Sequence, residues 1–337
     1  MLNFDPARFL RIQTGTVTIA RDLGALVGRL VAEGADSLFF MGSGGAGILM
    51  QPAADLMRRG SKLPCHNVLC AEIVLTGHVA LGPKSVVVMP SLSGTTKESI
   101  AAMEYVRARG ATVISITGHA DTPLAKGADH SFVNFAEDDT SCEMFYVTSL
   151  VAALAAMQAR GERSDLDRIT GELAALPQQL LAVKQAFEPR ADALARAIAA
   201  DGWHIITGSG AAWPQAYYYG MCILEEMQWI RTRPVHASDF FHGTLELVEK
   251  GVSVVVFAGE DETRPLTDRV IAFAKGYTDK LTVLDTRDLA TTGLSSDLRA
   301  MLVPALLATV LERLSAHLEV MRNHPLVTRR YYKRVAY

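Results

Sequence analysis

Residues 86 to 96, Val-Val-Val-Met-Pro-Ser-Leu-Ser-Gly-Thr-Thr, set a loop dense in hydroxyls directly behind an apolar run. The chemistry open to such a loop is anion binding. Hydroxyls and free backbone N–H groups converge at the positive end of a helix dipole, which suits a phosphate. The helix is expected from about Lys97 to Arg109. Ser and Thr are also ordinary helix caps, so taken alone the loop fits an N-capped helix equally well. A second loop, Met41-Gly-Ser-Gly-Gly-Ala-Gly47, follows the strand expected at Ser37 to Phe40 and leads into a helix from Ile48 to Arg59. Its glycines allow positive φ and close backbone approach. Neither loop has the spacing of a nucleotide P-loop. Two strand-to-helix turns of this kind fit one anionic group held at the carboxyl edge of a parallel sheet.

The elements that must position these loops follow from hydrophobic periodicity. Helical spacing covers Gly15 to Glu33, and short apolar runs then alternate with helices: Ser37–Met41, Asn67–Leu69, Ser85–Pro90, Thr112–Thr117 and Ser131–Phe135. Continuous apolar strands separated by helices indicate a parallel α/β sheet. A long helix from Ser141 to Arg160 closes this unit, and a polar break at Gly161 to Asp165 follows. The helical stretch to Ala200 is expected to break at Pro177 and Pro189.

The pattern then restarts about 166 residues later. Trp203–Thr207 is a strand, and Gly-Ser-Gly-Ala at 208 to 211 echoes Gly-Ser-Gly-Gly at 42 to 45. Further strands are expected at Pro234–Ala237, Ser253–Ala258 and Leu281–Asp285, with helices running to about Ile230 and from Pro265 to Lys275. The second copy has Ala258-Gly-Glu-Asp-Glu-Thr where the first has its hydroxyl loop, and acidic residues there would repel phosphate. One half should therefore hold the anion and the other contribute chemistry or shape.

Composition narrows the remaining classes. The chain has 337 residues, about half of them apolar, and a net charge of −3, which argues against bulk attraction to nucleic acid. Cys65, Cys70, Cys142 and Cys222 lack zinc spacing and read as buried thiols in a reducing compartment. The N-terminus has no signal-peptide layout, and apolar runs such as Met301 to Leu311 are too short to span a bilayer. A cytoplasmic protein is expected, without cofactor, metal, nucleic-acid or membrane partner.

Two glycine-turn α/β repeats, the first with a serine/threonine loop, resemble the tandem sugar isomerase (SIS) domain family. The layout is similar to the isomerase half of glucosamine-6-phosphate synthase and, more so, to the fructosamine-6-phosphate deglycases. The best-matching stretch runs from Leu224-Glu-Glu-Met-Gln-Trp through His242-Gly-Thr. The resemblance implies an N-terminal helical segment (1–33), a first SIS domain (34–162), a helical linker (163–200), a second SIS domain (201–320) and a tail (321–337) folding over the sugar site. It implies that Gly42, Ser43, Gly44, Ser91, Ser93 and Thr96 bind the sugar phosphate. Glu226 and His242 would be the catalytic pair, with Lys333 matching the synthase's C-terminal lysine. It implies a homodimer, with the histidine reaching in from the other subunit. Leu92 replaces a glutamine common in the synthase. Ile223 stands where the synthase has a lysine, which argues against amination.

Interconverting a ketosamine and an aldimine needs one group to remove a proton from carbon 1 and another to protonate carbon 2, roles that suit a carboxylate base and an imidazole acid. Glu225 rivals Glu226 and His236 rivals His242; Gly243 favours the latter histidine. Glu246 and Glu249 read as solvated charge. Arg329, Arg330, Tyr331 and Tyr332 fit a carboxylate- or phosphate-reading tail and a packed basic terminus equally. Trp213, Tyr217, Tyr218 and Tyr219 read as core or interface aromatics. The leading expectation is a deglycase releasing glucose 6-phosphate and an amine. Its rivals are a ketose/aldose or amino-sugar phosphate isomerase and a non-catalytic sugar-phosphate sensor. No helix-turn-helix precedes the first repeat, and Leu2, not a nucleophilic cysteine, follows Met1, so neither a DNA-binding nor a glutaminase portion is expected.

Overall fold

A computed structural model describes every residue except Lys333 and Tyr337. The chain forms two compact α/β units. The first comprises Pro6–Gln178 with Gly293–Ser295; the second comprises Met1–Asp5, Gln179–Thr292 and Ser296–Tyr337.

In the first unit the order is α1 (Pro6–Ala32), β1 (Ser37–Gly42), α2 (Gly45–Ile48), α3 (Gln51–Gly60), β2 (Cys65–Leu69), α4 (Cys70–Thr76), β3 (Ser85–Ser91), α5 (Lys97–Arg107), β4 (Thr112–Thr117), α6 (Pro123–Gly127), β5 (His130–Val133), α7 (Ser141–Ala159) and α8 (Leu166–Leu173). The five strands are all parallel, in the order β2-β1-β3-β4-β5. Strands β1 and β3 are buried along their whole length, as covered parallel strands must be, whereas edge strand β5 alternates. Phe39, Met41, Val87, Met89 and Val113 pack against Ala102, Met103 and Val106 of α5 and Ile73 of α4. Each such large side chain removed from water contributes about 1.5–3 kcal/mol. The chain moves outward from β1 to β2 and then across to β3. The switch point therefore lies between the carboxyl ends of β1 and β3, where the two candidate loops emerge.

The second unit contains α9 (Leu176–Ala199, entered from the end of the first unit), β6 (Trp203–Gly208), α10 (Ala212–Tyr218), β7 (Arg231–His236), β8 (Ser253–Ala258), α11 (Arg264–Tyr277), β9 (Lys280–Asp285) and α12 (Ser296–Met321). Its sheet is also parallel, in the order β7-β6-β8-β9, so its switch point lies between β6 and β8. Helices α9 and α12 are joined by a buried ion network. Lys184 pairs with Glu312 at 2.5 Å and Arg313 with Glu188 at 2.6 Å, both cations having fully buried side chains. Glu188 also accepts the Leu2 N–H at 2.7 Å. Burial opposes ionisation of Glu188, but bonds from Arg313, the Leu2 N–H and His317 outweigh it and hold the carboxyl down at about 2.

Three local expectations differ from the structure. Helix α9 runs through Pro189 instead of breaking there, because Lys184 and Glu188 anchor the turns preceding it. The helix expected to reach Ile230 changes to π winding at Tyr219–Met227. The run Met301–Leu311 lies within the 26-residue α12, which, like α7, is long and apolar enough to cross a membrane; 83% and 89% of their respective apolar windows are buried inside the fold.

Candidate active site

In the first unit, β3 ends at Ser91, whose hydroxyl accepts the Gly94 N–H at 3.2 Å and lies 3.5 Å from the Thr96 hydroxyl. Gly94 has φ +60°, and a Cβ there would lie 2.2 Å from the Thr122 hydroxyl, so only glycine closes this turn. Ser93 accepts the Thr95 hydroxyl at 3.1 Å. Thr96 occupies the N-cap position of α5, yet its side chain makes no capping bond. The first N–H groups of α5 have no intrahelical acceptor and are left to another group. Gly42 ends β1, and Ser43 and the positive-φ Gly44 follow it into α2. The Ser43 hydroxyl meets that of buried Ser99 on α5 at 3.2 Å, tying the two loops together. Beneath them, burial pushes the Cys70 thiol pKa up, so it stays neutral under the hydroxyls. The result is a polar nest, without side-chain charge among these hydroxyls, at the switch point.

The second unit has the same turn with its centre filled. The Asp261 carboxylate accepts the Ala211 N–H at 2.8 Å and the Thr263 N–H at 2.9 Å. The Thr263 hydroxyl bonds to Asp261 and to the buried Ser209, the counterpart of Ser43. Counted from the strand register and from the N-caps Thr96 and Thr263, Asp261 stands at the position corresponding to Gly94. The acidic segment does more than repel an anion: it supplies one.

Glu226 lies on the π-helical segment Tyr219–Met227, which packs on β7. Gly220 permits that packing, since a Cβ would lie 2.8 Å from Pro234. The adjacent Glu225 bonds to the hydroxyl of Thr232 at 2.6 Å and to its N–H at 3.2 Å, fastening the segment to β7. Glu226 instead receives Arg329 Nε at 2.9 Å. The tail docks on this region through further contacts. Gln228 donates to the His324 carbonyl at 2.8 Å, Arg322 donates to the Gln228 carbonyl at 3.2 Å, and Arg330 stacks over Trp229 at 4.0 Å.

His242 ends a 3-10 turn, Phe240–His242, with its N–H bonded to the Asp239 carbonyl at 2.9 Å and its side chain exposed. Gly243 follows at φ +149°. In contrast, His236 Nδ1 accepts the Ser238 N–H at 3.2 Å, and its ring meets Trp213 edge-on at 5.5 Å. Trp213 stacks on Tyr217, while Tyr218 and Tyr219 are buried. Glu246 and Glu249 are exposed. Lys333 lies outside the described residues.

The SIS domain profile matches residues 33–160. Fructosamine deglycase FrlB of Bacillus subtilis (strain 168) is 32% identical over 328 residues, covering 96% of this chain and 99% of that protein. The chain belongs to the SIS family. Fructoselysine 6-phosphate deglycase of Escherichia coli (strain K12) is 28% identical over 91% of this chain and 88% of its own length. A crystal structure from Bacillus subtilis, described as a phosphosugar isomerase, superposes with a TM-score of 0.88 at 30% identity, covering 96% of this chain and 99% of that one. The C-terminal domain of glucosamine-fructose-6-phosphate aminotransferase from Francisella tularensis shares the fold at TM-score 0.81 and 17% identity, over 95% of each chain.

The sequence leaves the partners of three residues of this SIS protein open. Ser99 is hidden inside an ordinary helical pattern. Asp261 was marked only as one of a repelling group. Arg329 belongs to the tail that fits a carboxylate or phosphate reader, but its carboxylate partner, Glu226, lies 103 residues away, which sequence spacing does not reveal.

Proposed function

We propose that this SIS protein is a phosphosugar deglycase that converts a fructosamine 6-phosphate and water to glucose 6-phosphate and a free amine or amino acid. The observation that carries the reading is the hydroxyl-lined nest at the first switch point, set against the carboxylate-filled nest of the repeat. The kinship to two deglycases adds the reaction. In this reading Gly42, Ser43, Gly44, Ser91, Ser93 and Thr96 receive the phosphate. Glu226 takes the proton from carbon 1, and His242 delivers one to carbon 2. The product imine then adds water at carbon 1 and expels the amine. Lys333 is assigned to the same site by its match to the synthase's C-terminal lysine. The exposed His242 is available to substrate held by a second copy, so a homodimer is part of the proposal, as is a cytoplasmic setting.

The test is a panel of fructosamine 6-phosphates assayed for glucose 6-phosphate. Glu226→Gln and His242→Ala should each lower kcat by about 100-fold or more, the span of general acid–base catalysis. Retained turnover in both variants would refute the assignment. An isomerase reading draws support from the 30%-identical structure so described. Its mark would be a rearranged sugar phosphate with no amine released.

A further inference from the structure

We propose that Arg329 is a positioning residue that keeps Glu226 ionised and fixed in orientation for proton abstraction; this rests on the reading of Glu226 as the base. Arg329 Nε donates to Glu226 Oε1 at 2.9 Å, and the arginine side chain is 13% exposed against 34% for the glutamate. The same guanidinium donates to the Leu326 carbonyl at 2.5 Å and the Thr328 carbonyl at 3.0 Å. Its direction is therefore set by the tail backbone before any substrate arrives. A guanidinium stays cationic throughout the working pH range, so it biases a neighbouring carboxyl toward its charged form at every pH of interest.

The tail that carries it is held by contacts that do not involve Glu226. The Leu326 N–H bonds to Glu319 at 3.0 Å, Gln228 holds the His324 carbonyl, and Arg330 covers Trp229. Charged and titratable groups carried by the elements packed here are Tyr219, Cys222 and Glu225 on the same segment, Arg231, Arg233 and His236 on β7, and, in the tail sequence, Arg322, His324, Arg329, Arg330, Tyr331, Tyr332, Lys333 and Arg334. Among the described residues, Arg329 is the one recorded in an ion pair with Glu226. A catalytic base needs its proton off. Removing the cation raises the pH at which Glu226 loses its proton, so the acid limb of the rate profile must move upward.

The experiment is kcat against pH for the full-length protein as wild type, Arg329→Ala, Arg329→Lys and Glu226→Gln. Arg329→Ala should move the acid limb up by about one pH unit or more, giving about a tenfold loss below the limb that narrows as pH rises. Arg329→Lys keeps the charge and should restore most of the wild-type limb. KM for the sugar phosphate should stay unchanged. If Arg329→Ala only lowers the melting temperature, or lowers kcat equally at all pH, the proposal fails and Arg329 merely fastens the tail. If Glu226→Gln turns over normally, the base assignment itself fails. An inactive Glu226→Gln beside an unshifted Arg329→Ala would overturn this inference alone.

Discussion

The two glycine turns of this protein are the same backbone device with different occupants. In the first, Gly42-Ser43-Gly44 faces a loop of hydroxyls that carries no charge of its own. In the second, Gly208-Ser209-Gly210 is closed by Asp261, which takes the Ala211 and Thr263 N–H groups. Backbone N–H groups aimed at one point need a negative partner, and an internal carboxylate serves as well as a ligand phosphate. The second repeat therefore shows what the first repeat lacks. The two repeats hold two such nests, and Asp261, at the position of Gly94, occupies the second.

The contrast can be broken from either side. Ser93→Asp would set a carboxylate among the hydroxyls of the first nest and should produce the largest effect. Charge repulsion together with lost charge-assisted bonds, each worth about 1.5–3 kcal/mol, should raise KM for the sugar phosphate by about 100-fold or more. Steady-state kinetics would show it; an unchanged KM would place the phosphate elsewhere. Asp261→Ala works in the other direction and should lower stability by about 1–3 kcal/mol, because two N–H groups lose their acceptor. Thermal denaturation reads that loss, while KM for the sugar phosphate should stay at the wild-type value.

Acid gives a smaller effect that reports on the charged unit. Glu188 is depressed to about 2 in the folded chain, below its ordinary value near 4.5. Its contribution is thus present above about pH 4.5 and is lost as pH falls toward 2, amounting to about 1–2 kcal/mol once solvent screening is allowed for. Trp203, Trp213 and Trp229 all lie in the second unit. Denaturant melts followed by tryptophan fluorescence should be level from pH 7 to 5 and weaken below 4.5.

Much of this architecture is legible in the sequence because parallel strands buried on both faces announce themselves as apolar runs. All nine expected strands are present, and the ends shift most at the edge strands β2, β5 and β7. Strand β7 begins at Arg231 because an edge position tolerates Arg-Thr-Arg, which apolar periodicity cannot register. The phosphate loop was visible as residue types, but its alternative as a helix cap needed the geometry of Thr96 to be set aside. The π winding that carries Glu226 has no sequence period of its own, and the segment packs on β7 where Gly220 leaves room for Pro234. Likewise, Glu225 and Glu226 look alike in the chain and part company only through Thr232 and Arg329.

The most direct measurement of the division of labour is calorimetric titration of sugar phosphate into Ser93→Asp and Glu226→Gln side by side. Glu226→Gln should bind at one site per chain with wild-type affinity, and Ser93→Asp should bind about 100-fold more weakly or worse. Wild-type affinity in Ser93→Asp, or binding lost by Glu226→Gln, would contradict the assignment of anchor and chemistry to separate repeats.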